Sequence, residues 1–194
     1  LFFEWNLISN AQKTNKFWLG NILGEEFLME KFKPYIVRFE GEYSNGIAGT
    51  GSGVLIDDTT ILTCRHNLTD LKTYRCFAGE HELQIESHKY HEIHDIGIVK
   101  LKEKLSLSTF PYLGPHYVLD NTLTLGYPPL RGMREAPLIS QKGEINATSK
   151  DWHNCECITI SSTVRPGNSG GPVVSLSGYI VGIYFSFISS ILNV

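Results

Sequence analysis

From Pro34 onward the chain consists of short apolar runs separated by turn residues, a texture typical of an all-β sandwich or barrel. Each run has the length of a strand rather than of a helix. The expected strands are residues 35–39, 53–56, 60–64, 74–78, 82–87 and 96–101 in the first half, and 122–126, 138–146, 157–162, 172–176 and 179–187 in the second. The pattern predicts two β lobes of similar size, with a cleft between them.

Two stretches depart from this texture. In residues 1–34 the apolar side chains recur loosely at helical spacing until Pro34, which predicts an amino-terminal helical extension. Residues 103–116 are polar and contain proline, as expected of a linker between lobes. The expected domains are the extension at 1–34, a β-barrel at 35–102, the linker at 103–116 and a second β-barrel at 117–194.

Composition narrows the classes of partner. The chain has 194 residues, of which 42% are hydrophobic, enough for a substantial core in one domain or two small lobes. A formal charge of -3 without basic runs offers no electrostatic attraction to nucleic acid or to an anionic membrane surface. The uncharged run at 166–194 is interrupted by Gly and Ser, which favours a buried strand over a membrane span. We therefore expect no nucleic acid and no membrane as partners.

The cysteines and the chain ends bear on the compartment. Four cysteines are fewer than a disulfide-stapled secreted domain of this size normally has, which favours a reducing, cytoplasmic setting. Residues 1–4 do not have the pattern of a signal peptide, so we expect none here, and Leu1 in place of Met suggests a fragment of a longer protein. The sequons at Asn67 and Asn146 do not change this, because a glycan on Asn67 would crowd the neighbouring histidine.

A serine among glycines is the strongest candidate for chemistry, in the stretch Arg165-Pro166-Gly167-Asn168-Ser169-Gly170-Gly171-Pro172. Glycine on this turn accepts positive φ and leaves room for a substrate backbone. Serine is nevertheless a poor nucleophile at its free pKa, so catalysis requires a histidine base and an orienting carboxylate elsewhere. Without them the stretch is only a tight turn.

His66 and Asp95 are the candidates for these roles. His66 follows the β run 61–64, and a residue at a strand end is aimed by a rigid support, whereas the other six histidines lie in polar surroundings typical of the surface. Asp95 precedes the apolar run 96–101, where a carboxylate is costly unless a donor such as an imidazole N–H satisfies it. Asp70 is the rival carboxylate, but turn or cap duty suits it better.

In this order His66, Asp95 and Ser169 resemble the triad of the chymotrypsin-like (trypsin-like) serine proteases. Four stretches carry the resemblance: Gly51-Ser52-Gly53-Val54-Leu55-Ile56, Thr63-Cys64-Arg65-His66, His94-Asp95-Ile96-Gly97-Ile98-Val99-Lys100-Leu101, and Pro166-Gly167-Asn168-Ser169-Gly170-Gly171-Pro172. The resemblance implies two six-stranded antiparallel β-barrels and a serine endopeptidase that hydrolyses peptide bonds through an acyl-enzyme. His66 would be the base, Asp95 the orienting group and Ser169 the nucleophile, with no cofactor and a protein or peptide substrate.

Within that family the chain is most similar to the short, disulfide-poor HtrA-type branch, and no PDZ-like segment follows its last expected strand. Asn168 replaces the aspartate that pairs with a newly cut amino terminus in zymogen-activated members, so we do not expect activation by such a cut. The resemblance also implies that the amides of Gly167 and Ser169 form the oxyanion hole.

The same resemblance locates the specificity pocket, and the residues at the corresponding positions of this chain carry no charge. The trypsin-type aspartate at the pocket floor is absent, which predicts cleavage after small or medium uncharged residues. The expected floor and wall are Thr163, Val164, Tyr184, Phe185, Ser186 and Phe187.

Two departures from the family pattern raise the question of regulation. Arg65 stands where a small residue usually precedes the histidine, which places a cation near the base. Phe185 stands where many members have a serine bonded to the triad aspartate, and Ser186 would replace it if the strand is bulged. The sequence leaves open whether a regulatory partner or a fused domain assembles the site.

Other functions fit less well. A protease-like barrel that binds a peptide or a partner without cleaving it is the alternative, although it has no need of a complete triad. An esterase of the α/β-hydrolase type orders its triad Ser, Asp, His instead. Zinc ligands can be imagined in two groups, but buried free cysteines at this spacing need no metal, and we expect none. These groups are His88, His91 and His94, and His153, Cys155 and Cys157.

Overall fold

The computed structural model describes residues 23–107, 109–163 and 165–185. These residues form thirteen strands in two curled sheets, and the predicted all-β, chymotrypsin-like class is confirmed. The strands are β1 Ile36–Tyr43, β2 Ala48–Leu55, β3 Thr60–Thr63, β4 Leu71–Ala78, β5 His81–Leu83, β6 Ile85–Tyr90, β7 Gly97–Leu101, β8 Tyr112–Leu113, β9 Asn121–Gly126, β10 Ile139–Lys150, β11 Glu156–Ile160, β12 Pro172–Ser175 and β13 Tyr179–Ile183. The helices are α1 Glu25–Phe32, a 3₁₀ turn Lys33–Tyr35, and α2 His66–Thr69.

The first sheet is antiparallel throughout, in the order β5-β4-β1-β2-β3-β7-β6. It has seven strands rather than the expected six, because the run predicted as one strand over 82–87 divides at Gln84. The two pieces pair at opposite edges of the sheet, β5 with β4 and β6 with β7. Since one residue separates them, the edges must meet, and the sheet curls around a core that includes Phe39, Leu55 and Val99.

The second sheet has the order β11-β10-β9-β12-β13-β8. Its one departure from the expected antiparallel pattern is the parallel pairing of β8 with β13, which aligns Tyr112 with Tyr179. The segment predicted as a linker, 103–116, therefore contributes a strand. Strand β13 ends at Ile183, short of the predicted 187.

Helix α1 joins the two sheets. Leu28 and Phe32 are buried in one cluster with Val54 of β2 and Leu123 of β9, so the helix shares the core between the barrels. Two acidic residues occupy its first turn, where the helix dipole favours negative charge. Residues 1–22, the rest of the predicted extension, lie outside the described residues. No helix in the described part of the chain is long and apolar enough to cross a membrane.

Candidate active site

Paired strands bring His66 and Asp95 together. Thr63 at the end of β3 pairs with Gly97 at the start of β7, and the two candidates lie just beyond these ends. Asp95 holds the histidine at two points: its Oδ2 lies 2.7 Å from the imidazole Nδ1, and its Oδ1 accepts a 3.0 Å hydrogen bond from the His66 amide. This arrangement suits an imidazole protonated on Nδ1, which leaves Nε2 free to accept a proton.

The Asp95 carboxylate is stabilised in its ionised form. Burial alone would raise its pKa, but the hydrogen bonds from His66 and the nearby charges of His66 and Arg65 outweigh burial, so the pKa lies below the ordinary value. The Arg65 guanidinium is anchored outside the pair, where it donates to the Glu92 carbonyl. Arg65, the cation expected near His66, therefore also stabilises the ionised carboxylate of Asp95.

Ser169 lies in a loop shaped by a type II turn. The Asn168 amide donates to the Arg165 carbonyl at 3.1 Å, Pro166 occupies the first central position, and Gly167 at the second has φ 94°. A residue other than glycine would be strained in this second position, which explains the order Pro-Gly. Beyond Ser169 the chain is joined to the residue that follows β13.

Two backbone hydrogen bonds join the end of the Ser169 loop to Tyr184. The Gly170 amide donates to the Tyr184 carbonyl at 2.7 Å, and the Tyr184 amide donates to the Gly171 carbonyl at 2.8 Å. Ser169 itself is 7% exposed. The loop is therefore held at both ends, and Ser169 between them is almost fully buried.

Ser52 and Asn67 of the first barrel hold the same loop, and the sequence assigned neither of them a role. The Ser169 carbonyl accepts hydrogen bonds from the Ser52 amide at 2.9 Å and from Asn67 Nδ2 at 2.8 Å. The Ser52 hydroxyl donates to the Gly167 carbonyl at 2.7 Å and accepts from the Tyr127 amide at 2.8 Å. Asn67 is 4% exposed, so its sequon amide is engaged inside the protein.

These contacts place Ser169 beside the histidine–aspartate pair, because Asn67 directly follows His66. Among the described residues, the Ser169 hydroxyl makes no hydrogen bond with His66. Catalytic hydrogen bonds are often long before substrate binds, so the arrangement remains compatible with a triad.

Cys64, predicted from the sequence as the end of a strand, is a neighbour of the site. Its thiol donates to the Tyr184 carbonyl at 3.3 Å, and burial, together with the negative charge of Asp95, raises its pKa. Phe185, the other departure noted in the sequence, is half-buried, while Ser186 lies outside the described residues. The side chain near Asp95 just past the end of β3 is therefore the thiol of Cys64.

The predicted specificity pocket is described only in part. Thr163 is exposed, and the backbone of Tyr184 is hydrogen-bonded to Gly170 and Gly171. Val164, Ser186 and Phe187 lie outside the described residues. The pocket assignment stays a prediction.

The two histidine-rich groups considered for zinc meet at one place. His94 lies 3.6 Å from Asp151 Oδ2 through its Nδ1, and its ring is 6.0 Å from that of His153. His88 instead contacts the Tyr74 hydroxyl at 2.8 Å. The contact between His94 and Asp151 connects the loop that carries Asp95 with the β10–β11 hairpin of the second barrel.

The fold and the site together define a trypsin-like peptidase. The model of the trypsin-like peptidase domain family matches residues 51–183, and the chain belongs to this family. It is 27% identical to the putative protease Do-like 14 of Arabidopsis thaliana over 69% of this chain and 34% of that protein. It is 29% identical to the serine protease HTRA1 of Xenopus laevis over 80% of this chain and 37% of that protein.

The chain thus spans about a third of the length of the curated relatives it matches. Among solved structures, the active form of the Rv3671c protease from M. tuberculosis matches with a TM-score of 0.64 at 18% identity. That match covers 82% of this chain and 73% of the other, and it shows a shared fold. The predicted relationship to HtrA-type serine proteases is confirmed at the level of the family.

Proposed function

We propose that this chain is the catalytic domain of a serine endopeptidase, within a longer or regulated protein. The observation that carries the proposal is the two-point hold of Asp95 on His66 beside the loop of Ser169. Family membership makes a peptide or protein the expected substrate.

The proposed reaction follows from the orientation of the imidazole. His66 takes the proton of the Ser169 hydroxyl through Nε2 as the serine oxygen attacks the scissile carbonyl carbon. Asp95, ionised at neutral pH, stabilises the imidazolium that forms. The histidine returns the proton to the leaving amine, and water then hydrolyses the acyl-enzyme with the same histidine as base.

The amides of Gly167 and Ser169 are the proposed donors to the oxyanion. The support for Gly167 is its position in the type II turn, with φ 94°. Its carbonyl oxygen is occupied by a hydrogen bond from the Ser52 hydroxyl. Loss of one such donor typically lowers kcat about 10²–10³-fold. Of the proposed pocket residues, Thr163, Tyr184 and Phe185 are described and none of these carries a charge, which supports cleavage after small or medium uncharged residues.

Labelling with a fluorophosphonate tests the nucleophile, since only an activated serine reacts rapidly. We expect wild-type protein to be labelled and Ser169→Ala to be unlabelled, with turnover of a peptide library reduced about 10⁴–10⁶-fold. Ser161→Ala is the matched control, a serine on the exposed side of the same barrel that should label like wild type. Absence of labelling in folded wild type would favour a non-catalytic binding module. A library profile dominated by Lys, Arg, Asp or Glu would contradict the proposed specificity.

A further inference from the structure

We propose that Cys64, His66 and Asp95 form a binding site for a thiophilic divalent cation, typified by Zn²⁺, whose occupation stops proteolysis. Their donor atoms, a sulfur, an imidazole nitrogen and a carboxylate oxygen, lie within 4.8 Å of one another. The inhibitory role rests on the function proposed above, whereas the binding site itself does not.

The donor set and its spacing suit zinc. Zinc binds these three donor types at about 2.0–2.3 Å, so neighbouring ligand atoms of a tetrahedral ion are about 3.3–3.6 Å apart. His66 Nδ1 and Asp95 Oδ2 are 2.7 Å apart, so they need to separate by less than about 1 Å. The Cys64 sulfur lies at most 4.8 Å from its partners, so it needs to approach them by at most about 1.5 Å. Hard cations such as Mg²⁺ prefer oxygen ligands and should not compete for a site with a thiolate.

The charges in the site change in a balanced way on binding. Asp95 accepts both of its hydrogen bonds from His66, as a carboxylate does, whereas the buried thiol of Cys64 donates its proton to the Tyr184 carbonyl. The cation displaces that proton to solvent as the metal–sulfur bond forms. One divalent cation then neutralises one carboxylate and one thiolate, which suits a partly buried position. The positive charge of Arg65 opposes binding, but its side chain is anchored on the Glu92 carbonyl.

The same geometry determines how the cation reaches Cys64 and how its binding affects the imidazole of His66. Cys64 is fully buried, while the side chains of His66 and Asp95 are 35% and 27% exposed, so the ion reaches the thiol past the imidazole. Nδ1 is the nitrogen that faces the carboxylate, and the metal therefore takes Nδ1. The proton of the neutral ring moves to Nε2, where it prevents the ring from accepting the proton of Ser169.

Cobalt spectroscopy tests binding without any catalytic readout. In metal-stripped Ser169→Ala protein, we expect one equivalent of Co²⁺ to produce tetrahedral d–d bands and a thiolate charge-transfer band, both lost on addition of Zn²⁺. Adding Cys64→Ala or Cys64→Ser should abolish the charge-transfer band. The double change Cys155→Ser with Cys157→Ser is the matched control and should retain it. A band that survives in both Cys64 variants, or disappears in the control, would overturn the proposal.

The displaced thiol proton supplies a second test. The apparent affinity for Co²⁺ should fall about 10-fold for each unit of pH decrease in the range where the free thiol is protonated, because one proton leaves for each ion bound. An affinity independent of pH there would exclude the thiolate as a ligand.

Inhibition is measured on wild-type protein with a small ester substrate. Zn²⁺ should inhibit and Mg²⁺ should not. Cys64→Ala, compared with its own metal-free rate, should require at least about 100-fold more Zn²⁺, because loss of a direct ligand should cost no less than the roughly 10–100-fold typical of an outer-shell partner. Equal sensitivity of wild type and Cys64→Ala would overturn the inhibitory role. If wild type cleaves nothing, the proposed function fails, while the cobalt bands still decide the metal site.

Discussion

Gly170, the residue after Ser169, shows how tightly the loop is built. Its φ is 85°, and a Cβ there would overlap the Ser52 carbonyl oxygen and the Thr63 hydroxyl. Gly170→Ala should therefore lower the free energy of unfolding by more than the ~1–2 kcal/mol of left-handed strain alone. Gly79→Ala is the matched control, with φ 58° and nothing within 4 Å of the added methyl. Equal losses for the two variants in urea denaturation would contradict the close contact.

The lowered pKa of Asp95 makes a prediction about pH. A carboxyl whose pKa is lower in the folded state stabilises the fold above its ordinary value, 3.8, and this stabilisation is lost as pH falls through the folded pKa. Asp95→Asn should therefore be less stable than wild type at neutral pH, and the gap should close in acid. Chemical denaturation of both proteins from about pH 7 to about pH 3 measures this, and a constant gap would refute it.

Some residues of the candidate site were named from the sequence and others were not. His66 and Asp95 border strong strand signals, and glycines mark the loop of Ser169, so these local signals, taken in their order along the chain, made the three residues candidates. Ser52 and Asn67 act on residues more than a hundred positions away, at separations of 115 and 102. No local pattern encodes such contacts, because they depend on how the two barrels dock.

At the scale of elements, helix α2 carries two roles in consecutive residues. His66 faces Asp95, and Asn67 donates to the Ser169 carbonyl and to the Thr63 hydroxyl at 3.0 Å. Asn67→Asp replaces the donor with an anionic oxygen facing a carbonyl. We expect kcat to fall about 10²-fold, as for a displacement of about 1 Å at a catalytic centre.

The other sequon asparagine offers the control for this change. Asn146→Asp lies on the exposed side of β10 and should leave kcat within about twofold of wild type. Steady-state kinetics on a small ester substrate compares the two variants. If both have the same kcat, the bond from Asn67 does not position the nucleophile.

Most strands were predictable because their apolar runs are bounded by turn residues. The errors lie where pairing rather than composition decides the element. The division at Gln84 depends on which edges β5 and β6 join, and β8 exists because Tyr112 lies beside Tyr179. Helix α2 is too short to show a helical period in the sequence.

At the scale of the whole molecule, the Ser52 hydroxyl connects the two barrels. Ser52→Ala removes the donor to the Gly167 carbonyl and the acceptor for the Tyr127 amide, both of which lie in buried surroundings. Each group left unsatisfied costs about 1–3 kcal/mol, so the variant should unfold at lower denaturant and turn over more slowly. The change acts on the turn of the proposed oxyanion hole without replacing His66, Asp95 or Ser169.

A neighbouring hydroxyl provides the comparison. Thr50 Oγ1 is buried without a hydrogen-bond partner in the described part of the chain, so Thr50→Val removes no bond. Thr50→Val should match or exceed wild-type stability, because the unsatisfied hydroxyl is replaced by a methyl of similar shape. If Ser52→Ala and Thr50→Val have the same stability, the bonds of Ser52 contribute nothing.

The attachment of the Ser169 carbonyl to Asn67 and Ser52 means that neither barrel contains the whole proposed site. The first half supplies the proposed base and its carboxylate partner, the other supplies the proposed nucleophile, and the first half also holds the carbonyl of that serine. If the chain is made as two polypeptides divided after Leu107, each should be inactive alone, and the mixture should regain fluorophosphonate labelling. Labelling would then report the docking of the halves, and its dependence on fragment concentration would measure their affinity.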